Sequence, residues 1–123
     1  MKNMGGTEEE QLFKLFNVAE CRGKLLLCLT DVLFVTTDEV DHRHKKVYMK
    51  NGCSYTLMFC TLEKLLELNP RLIQINKAEL VSKHAIKSME HDLLTLNLVM
   101  ENGRERQVTL SRTYKKNLLE RVA

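Results

Sequence analysis

Residues 94–116 run Leu94-Thr-Leu96-Asn-Leu98-Val-Met100-Glu-Asn102-Gly103-Arg-Glu105-Arg-Gln-Val-Thr-Leu110-Ser111-Arg112-Thr113-Tyr114-Lys115-Lys116. Leu94, Leu96, Leu98 and Met100 recur at every second position, so a strand here has one apolar face. Asn102-Gly103 is a hairpin signal, because both residues tolerate the positive φ a tight turn needs. Glu105–Leu110 returns as the partner strand. Ser111 then opens a helix as an N-cap, and Tyr114, Leu118, Leu119 and Val122 are expected on its buried side. Strand, turn, strand and helix in this order predict an antiparallel β unit rather than a βαβ crossover.

The start of that helix gathers a hydroxyl from Ser111, a guanidinium from Arg112 and the ammonium groups of Lys115 and Lys116. Helix N-termini attract anions, since free backbone N–H groups and the positive end of the dipole point the same way. The plainer reading is a capped helix whose lysines face water.

Working outward, the rest of the chain is also mostly strand. Leu25–Leu29 and Val32–Val35 are apolar runs split by Thr30-Asp31, and a polar loop follows from Thr36 to Lys46. Val47–Met49 and Cys53–Phe59 flank Asn51-Gly52, a second hairpin signal. Thr61 caps a helix carrying Leu62, Leu65 and Leu66, which Asn69-Pro70 terminates. Leu72–Ile75 reads as a short strand, Ala78–Ser82 as one helical turn, and Ala85–Met89 as a strand before the Leu93–Met100 segment. At the N-terminus, Thr7-Glu8-Glu9-Glu10 resembles a capping box, so a helix is expected to about Phe16, with Leu12, Leu15 and Phe16 on one face. That face packs either on its own domain or on a second subunit; periodicity does not separate the two.

With 123 residues, the chain suits one domain around one core. No apolar run approaches the ~20 residues of a spanning helix, and the acidic start lacks a signal-peptide core. These features predict a cytoplasmic protein with no membrane insertion. Cys21, Cys28, Cys53 and Cys60 have neither CxxC nor zinc-finger spacing, so reduced thiols are expected, with Cys28 and Cys60 in the core. The net charge of +3 is unevenly spread: residues 1–40 carry −3, residues 41–70 carry +2 and residues 71–123 carry +4. A polyanionic partner fits that asymmetry.

No phosphate-binding loop, dinucleotide fingerprint, HExxH or GxSxG is present, so no enzyme and no cofactor are expected. His42-Arg43-His44 is a poor metal site, because adjacent cations oppose the ion and no acid or thiolate has ligand spacing. Three polar segments instead have the chemistry of nucleic-acid contacts. They are His42-Arg43-His44-Lys45-Lys46, then Asn76-Lys77, then Ser111-Arg112 with Lys115 and Lys116. Each alone also reads as a solvated loop or helix face. Single-strand binding is disfavoured by an aromatic content of 6%, since stacking platforms need exposed rings.

An ordered series of segments resembles the LytTR DNA-binding domain, an output domain of bacterial response regulators. Asp31-Val-Leu-Phe-Val35 is similar to its early strand, and Thr61 to Pro70 to its first helix. Asn102-Gly103 and Val108 to Lys116 resemble its closing hairpin and helix start. The resemblance covers residues 24–122. It divides the chain into an N-terminal helical extension over 1–20 and a DNA-binding domain over 21–123. It implies a mostly β fold: an elongated arrangement of small antiparallel sheets with short helices. It also implies loops that reach successive major grooves of double-stranded DNA, with homodimers on direct-repeat sites.

By resemblance the first base contact falls near Arg43 or His44, beside Lys45. The middle contact falls on Lys77 beside Asn76. The third falls on Arg112, with Ser111 and Lys115 as phosphate partners. The middle segment departs from the family, which carries His, Arg, Ser and Tyr where this chain reads Asn76-Lys77-Ala78-Glu79. Lys77 keeps a positive donor without a bidentate fork, so it suits phosphate better than guanine. Glu79 brings a carboxylate towards the expected path of DNA. A scaffold that lost DNA binding and became a protein-interaction module is the alternative. A receiver domain does not fit in the first ~20 residues, so regulation is expected from a protein partner unless the chain is a fragment.

Overall fold

The computed structural model describes residues 12–122. Their strands, in chain order, are β1 (Phe13–Asn17), β2 (Lys24–Cys28), β3 (Val32–Thr37), β4 (Lys45–Met49), β5 (Ser54–Leu57), β6 (Leu72–Asn76), β7 (Glu79–Ser82), β8 (Ile86–Met89), β9 (Thr95–Val99) and β10 (Glu105–Thr109). Helix α1 (Leu62–Leu68) precedes β6, and α2 (Arg112–Val122) follows β10. The strands form three antiparallel sheets: a central one ordered β5-β4-β3-β7-β6, a hairpin β1-β2, and a meander β10-β9-β8. The mostly β class with short helices is the one read from the sequence.

The expectation of a single core is corrected. The central sheet is buried on both faces, so the described residues form two apolar clusters. Val32, Val35, Val47, Leu57, Leu72 and Leu80 pack with Leu62 and Leu65 of α1 and with Phe16 and Leu27 of the hairpin. On the other face, Leu33, Phe34, Ile73, Ile75 and Val81 meet Leu96, Leu98 and Val108 of the meander and Leu118 of α2. Alternation along β6 and β7 sends neighbouring residues to opposite faces. In β3 the register shifts between Val32 and Phe34, and Leu33 and Phe34 fall on the same side. Such an irregularity re-aims a side chain that strict alternation would place elsewhere. The rim of the second core is tied by Arg106 of β10, whose Cζ lies 4.6 Å from the Tyr48 ring and 5.3 Å from Phe34.

Several local expectations hold. Thr61 Oγ1 accepts from the Lys64 N–H at 3.0 Å and caps α1. The buried Asn69 side chain donates to Leu29 O at 3.1 Å and accepts from the Arg71 N–H, fixing the helix exit. Asn102 and Gly103 both take positive φ, 62° and 74°, between β9 and β10. Cys28 and Cys60 are buried, and burial pushes the Cys60 thiol up; Cys21 and Cys53 are exposed.

Others are corrected. The helix expected to Phe16 is strand β1 from Phe13 onward, and its proposed cap at Thr7–Glu10 lies outside the described residues. Pairing decides this: Leu15 sits opposite Leu26 and Phe16 opposite Leu25, and only Phe16 of β1 is buried. The helical turn expected over Ala78–Ser82 is β7, which pairs with both β3 and β6 inside the central sheet. At Asn51-Gly52 only Gly52 has positive φ. The loop is held by Asn51 Oδ1, which accepts from the Cys53 N–H at 2.9 Å. In α2, Leu118 is buried, Tyr114 is half-buried, and Leu119 and Val122 are 40% and 44% exposed.

Candidate nucleic-acid interface

The first segment belongs to the loop between β3 and β4. Backbone bonds from Asp38 N–H to His44 O and from His44 N–H to Asp41 O fold it into compact turns. Asp41 organises the loop. Its Oδ1 accepts from Arg43 N–H at 3.0 Å and from Arg43 Nε at 2.9 Å, and its Oδ2 accepts from Arg43 Nη2 at 2.7 Å. The Arg43 side chain, then its backbone N–H, holds the Asp41 carboxyl far below the usual carboxylate range. The same contact raises the Arg43 guanidinium.

Arg43 and His44, joined in the sequence reading, separate in the structure. Arg43 projects into solvent, while His44 is buried. His44 Nδ1 accepts from the Phe59 N–H at 3.0 Å, which leaves the ring hydrogen on Nε2, 3.2 Å from Asp41 Oδ2. Phe59 stands edge-on to His44, with centroids 4.8 Å apart at 84°, and the Arg43 Cζ lies 5.1 Å from its ring centroid. Phe59 is 66% exposed at φ 52°, a conformation that costs a non-glycine residue about 1 kcal/mol. Lys45 is buried, and its Nζ donates to His42 O at 2.7 Å.

The middle segment is the turn between β6 and β7. Asn76 is fully engaged: Oδ1 accepts from the Ala78 N–H at 2.8 Å, and Nδ2 donates to Glu79 Oε1 at 2.9 Å and Thr109 O at 2.8 Å. This Asx turn, together with the pairing of β7, replaces the expected helix. Glu79 also accepts from Thr36 Oγ1 at 2.7 Å. Both of its oxygens are bonded within the sheet system rather than left open on the loop. Lys77 is exposed and has no hydrogen-bond or ion-pair partner among the described residues.

The third segment begins α2. Ser111 Oγ accepts from the Thr113 N–H at 3.3 Å, and the Ser111 N–H donates to Ile75 O at 2.8 Å. The C-terminal end is tied by Arg121 Nη2, which donates to Pro70 O at 2.9 Å. Exposed Arg112 and half-exposed Lys115 likewise have no such partner among the described residues.

The middle segment adjoins each of the other two. His42, Lys45 and Lys77 line one open cleft of about 600 Å³, together with Thr37, Asp38 and Gln74. The bonds from Asn76 to Thr109 and from Ser111 to Ile75 then fasten the middle segment to the third. Asp38, Glu39 and Glu63 also face the cleft, so its charge is mixed rather than uniformly positive. Asp41 and Phe59 are missed by reading the sequence alone. The Asp-x-Arg spacing carried a faint signal for the first. Phe59 gave none, because strand alternation put it with buried Leu57. Among the described residues, no group of His, Cys, Asp and Glu side chains is arranged to hold a metal ion, and no helix is long and apolar enough to cross a membrane.

Comparison with known proteins bears on this arrangement. The family model described as the LytTr DNA-binding domain matches residues 23–123. No curated protein matches the chain at a significant level. Among solved structures, the chain is similar to the LytTr DNA-binding domain of a protein from Bacillus cereus described as a methyl-accepting/DNA response regulator. The TM-score is 0.67 at 15% identity, over 93% of this chain and 99% of that one. At that identity the likeness is one of fold.

Proposed function

Because the chain belongs to the LytTR DNA-binding domain family, we propose that it is a sequence-specific, double-stranded DNA-binding transcriptional regulator. It acts without catalysis, reaching successive major grooves through its loops. One observation carries the reading: three basic segments far apart in sequence are brought together around the middle one, while Lys77, Arg112 and Lys115 have no partner among the described residues. Lys77 and Lys115 displace counterions from phosphates and set the register, and Arg112 reads a base edge. So few contacts bind weakly, so two copies occupy direct repeats on DNA.

The test is selection from a randomised duplex pool at two salt concentrations, followed by sequencing. A motif repeated at about one helical turn or a multiple of it is expected. Retention with no motif that vanishes steeply with salt would leave only phosphate attraction.

A second reading, a protein-interaction module, is favoured by the outer face of the β1-β2 hairpin. Phe13, Leu15 and Leu26 there are each more than half exposed, and Leu15 and Leu26 are directly paired. Absence of any duplex retention, with a partner protecting these residues from hydrogen exchange, would favour it.

A further inference from the structure

Arg43 has its donors divided. A guanidinium carries five N–H donors. Nε and Nη2 each give one to Asp41, at 2.9 and 2.7 Å. The Nη1 hydrogens and the second Nη2 hydrogen lie on the outer edge of the fork, the edge that matches guanine O6 and N7. Phe59 packs against the guanidinium with its ring 5.1 Å from Cζ. It is itself pinned by its N–H to His44 Nδ1 and by the edge-on His44 ring. Asp41 closes the cluster, because its carboxylate also meets His44 Nε2 at 3.2 Å.

We propose that Asp41 and Phe59 are positioning residues for base recognition: they hold Arg43 end-on, so that it forks a guanine facing the first loop. The proposal rests on the DNA-binding reading above and narrows its first contact to Arg43. An arginine already paired with a carboxylate is a weak phosphate ligand and releases few counterions. Its remaining donors keep their direction, and directed donors are what a base edge requires. Holding the side chain before DNA arrives also lowers the ordering cost of binding. The strained, exposed Phe59 gains a role as the surface against which the guanidinium rests.

The test compares the full chain with Asp41→Asn, Phe59→Leu and Arg43→Lys. Each is selected against the randomised duplex pool and titrated with one fixed unrelated duplex at two salt concentrations. Asp41→Asn keeps the volume and the acceptor for the Arg43 N–H, but turns an amide donor towards the guanidinium. Arg43→Lys keeps the charge and loses the fork. The wild type should select a motif containing a guanine whose preference falls about tenfold in every variant. The other positions should not move; the salt slope on the unrelated duplex should hold for Phe59→Leu and steepen for Asp41→Asn, which frees the Arg43 charge for phosphate. Equal weakening at all positions would make the cluster merely structural and overturn the proposal, as would an unchanged motif. A wild type that selects no motif would remove the sequence-specific reading itself, and the proposal with it.

Discussion

Arg43 and Arg112 are both exposed arginines on segments that flank the middle one, yet the protein treats them differently. Arg43 is forked by Asp41 and packed on Phe59. Arg112 stands at the first position of α2 with no partner among the described residues. A loop has no intrinsic rigidity, so the first segment relies on side-chain bonds to direct its arginine. A helix start is already ordered by its cap and by the buried Leu118 beneath it, so the third segment needs no clamp. The first route directs the guanidinium itself; the second directs only the backbone that carries it. They differ in what must be broken to lose that direction.

The largest effect should come from the helix platform. Leu118→Ala removes a fully buried anchor of the second core. It should cost about 2–5 kcal/mol of stability, measured by denaturant unfolding. Duplex affinity should fall with it, since Arg112 loses its support.

Arg112→Ala separates reading from folding. Specific affinity should fall by about 1–3 kcal/mol, while unfolding stays within about 0.5 kcal/mol of wild type. An unchanged affinity for the selected site would place the third contact elsewhere.

Lys77→Ala should act more gently and without regard to sequence. Binding should weaken across all duplexes, and the salt slope should flatten by about one unit. A slope equal to that of the wild type would put Lys77 off the DNA.

The smallest effect concerns pH. The Asp41 carboxyl is depressed by the Arg43 side chain and then by its backbone N–H. A depressed carboxyl contributes fully above its ordinary value of 3.8 and loses its contribution as pH falls through the lower folded value. The clamp should therefore be intact at about pH 5 and above, with Asp41 Cγ shifts flat there in an NMR titration. A Cγ titration centred in the ordinary carboxylate range would show that the Asp41–Arg43 fork is not formed in solution.

The sequence revealed most where local chemistry and tertiary structure agree. Asn102-Gly103 with period-two leucines fixed the β9-β10 hairpin, and Thr61 with Pro70 bounded α1. It revealed less where distant pairing decides. Leu12, Leu15 and Phe16 fit a helical face, but Phe13 and Leu15 also alternate, and only the leucines of β2 select the strand. Ala78–Ser82 is too short to show a period, and its pairing with β3 spans more than forty residues. At the site, residue types pointed to three segments, and the family resemblance named the positions within them. Neither could tell that His44 and Asn76 are consumed by internal bonds, nor that Phe59 turns outward at positive φ. Those facts depend on loop geometry that no local pattern encodes.

The central claim is that the three segments act as one DNA-facing surface. The most direct test is to titrate the labelled protein with its selected duplex and follow backbone amide shifts by NMR. The account predicts perturbations at residues 41–45, 76–78 and 111–116, with the β1-β2 hairpin silent. Shifts concentrated at Phe13, Leu15 and Leu26, or confined to one of the three segments, would contradict it.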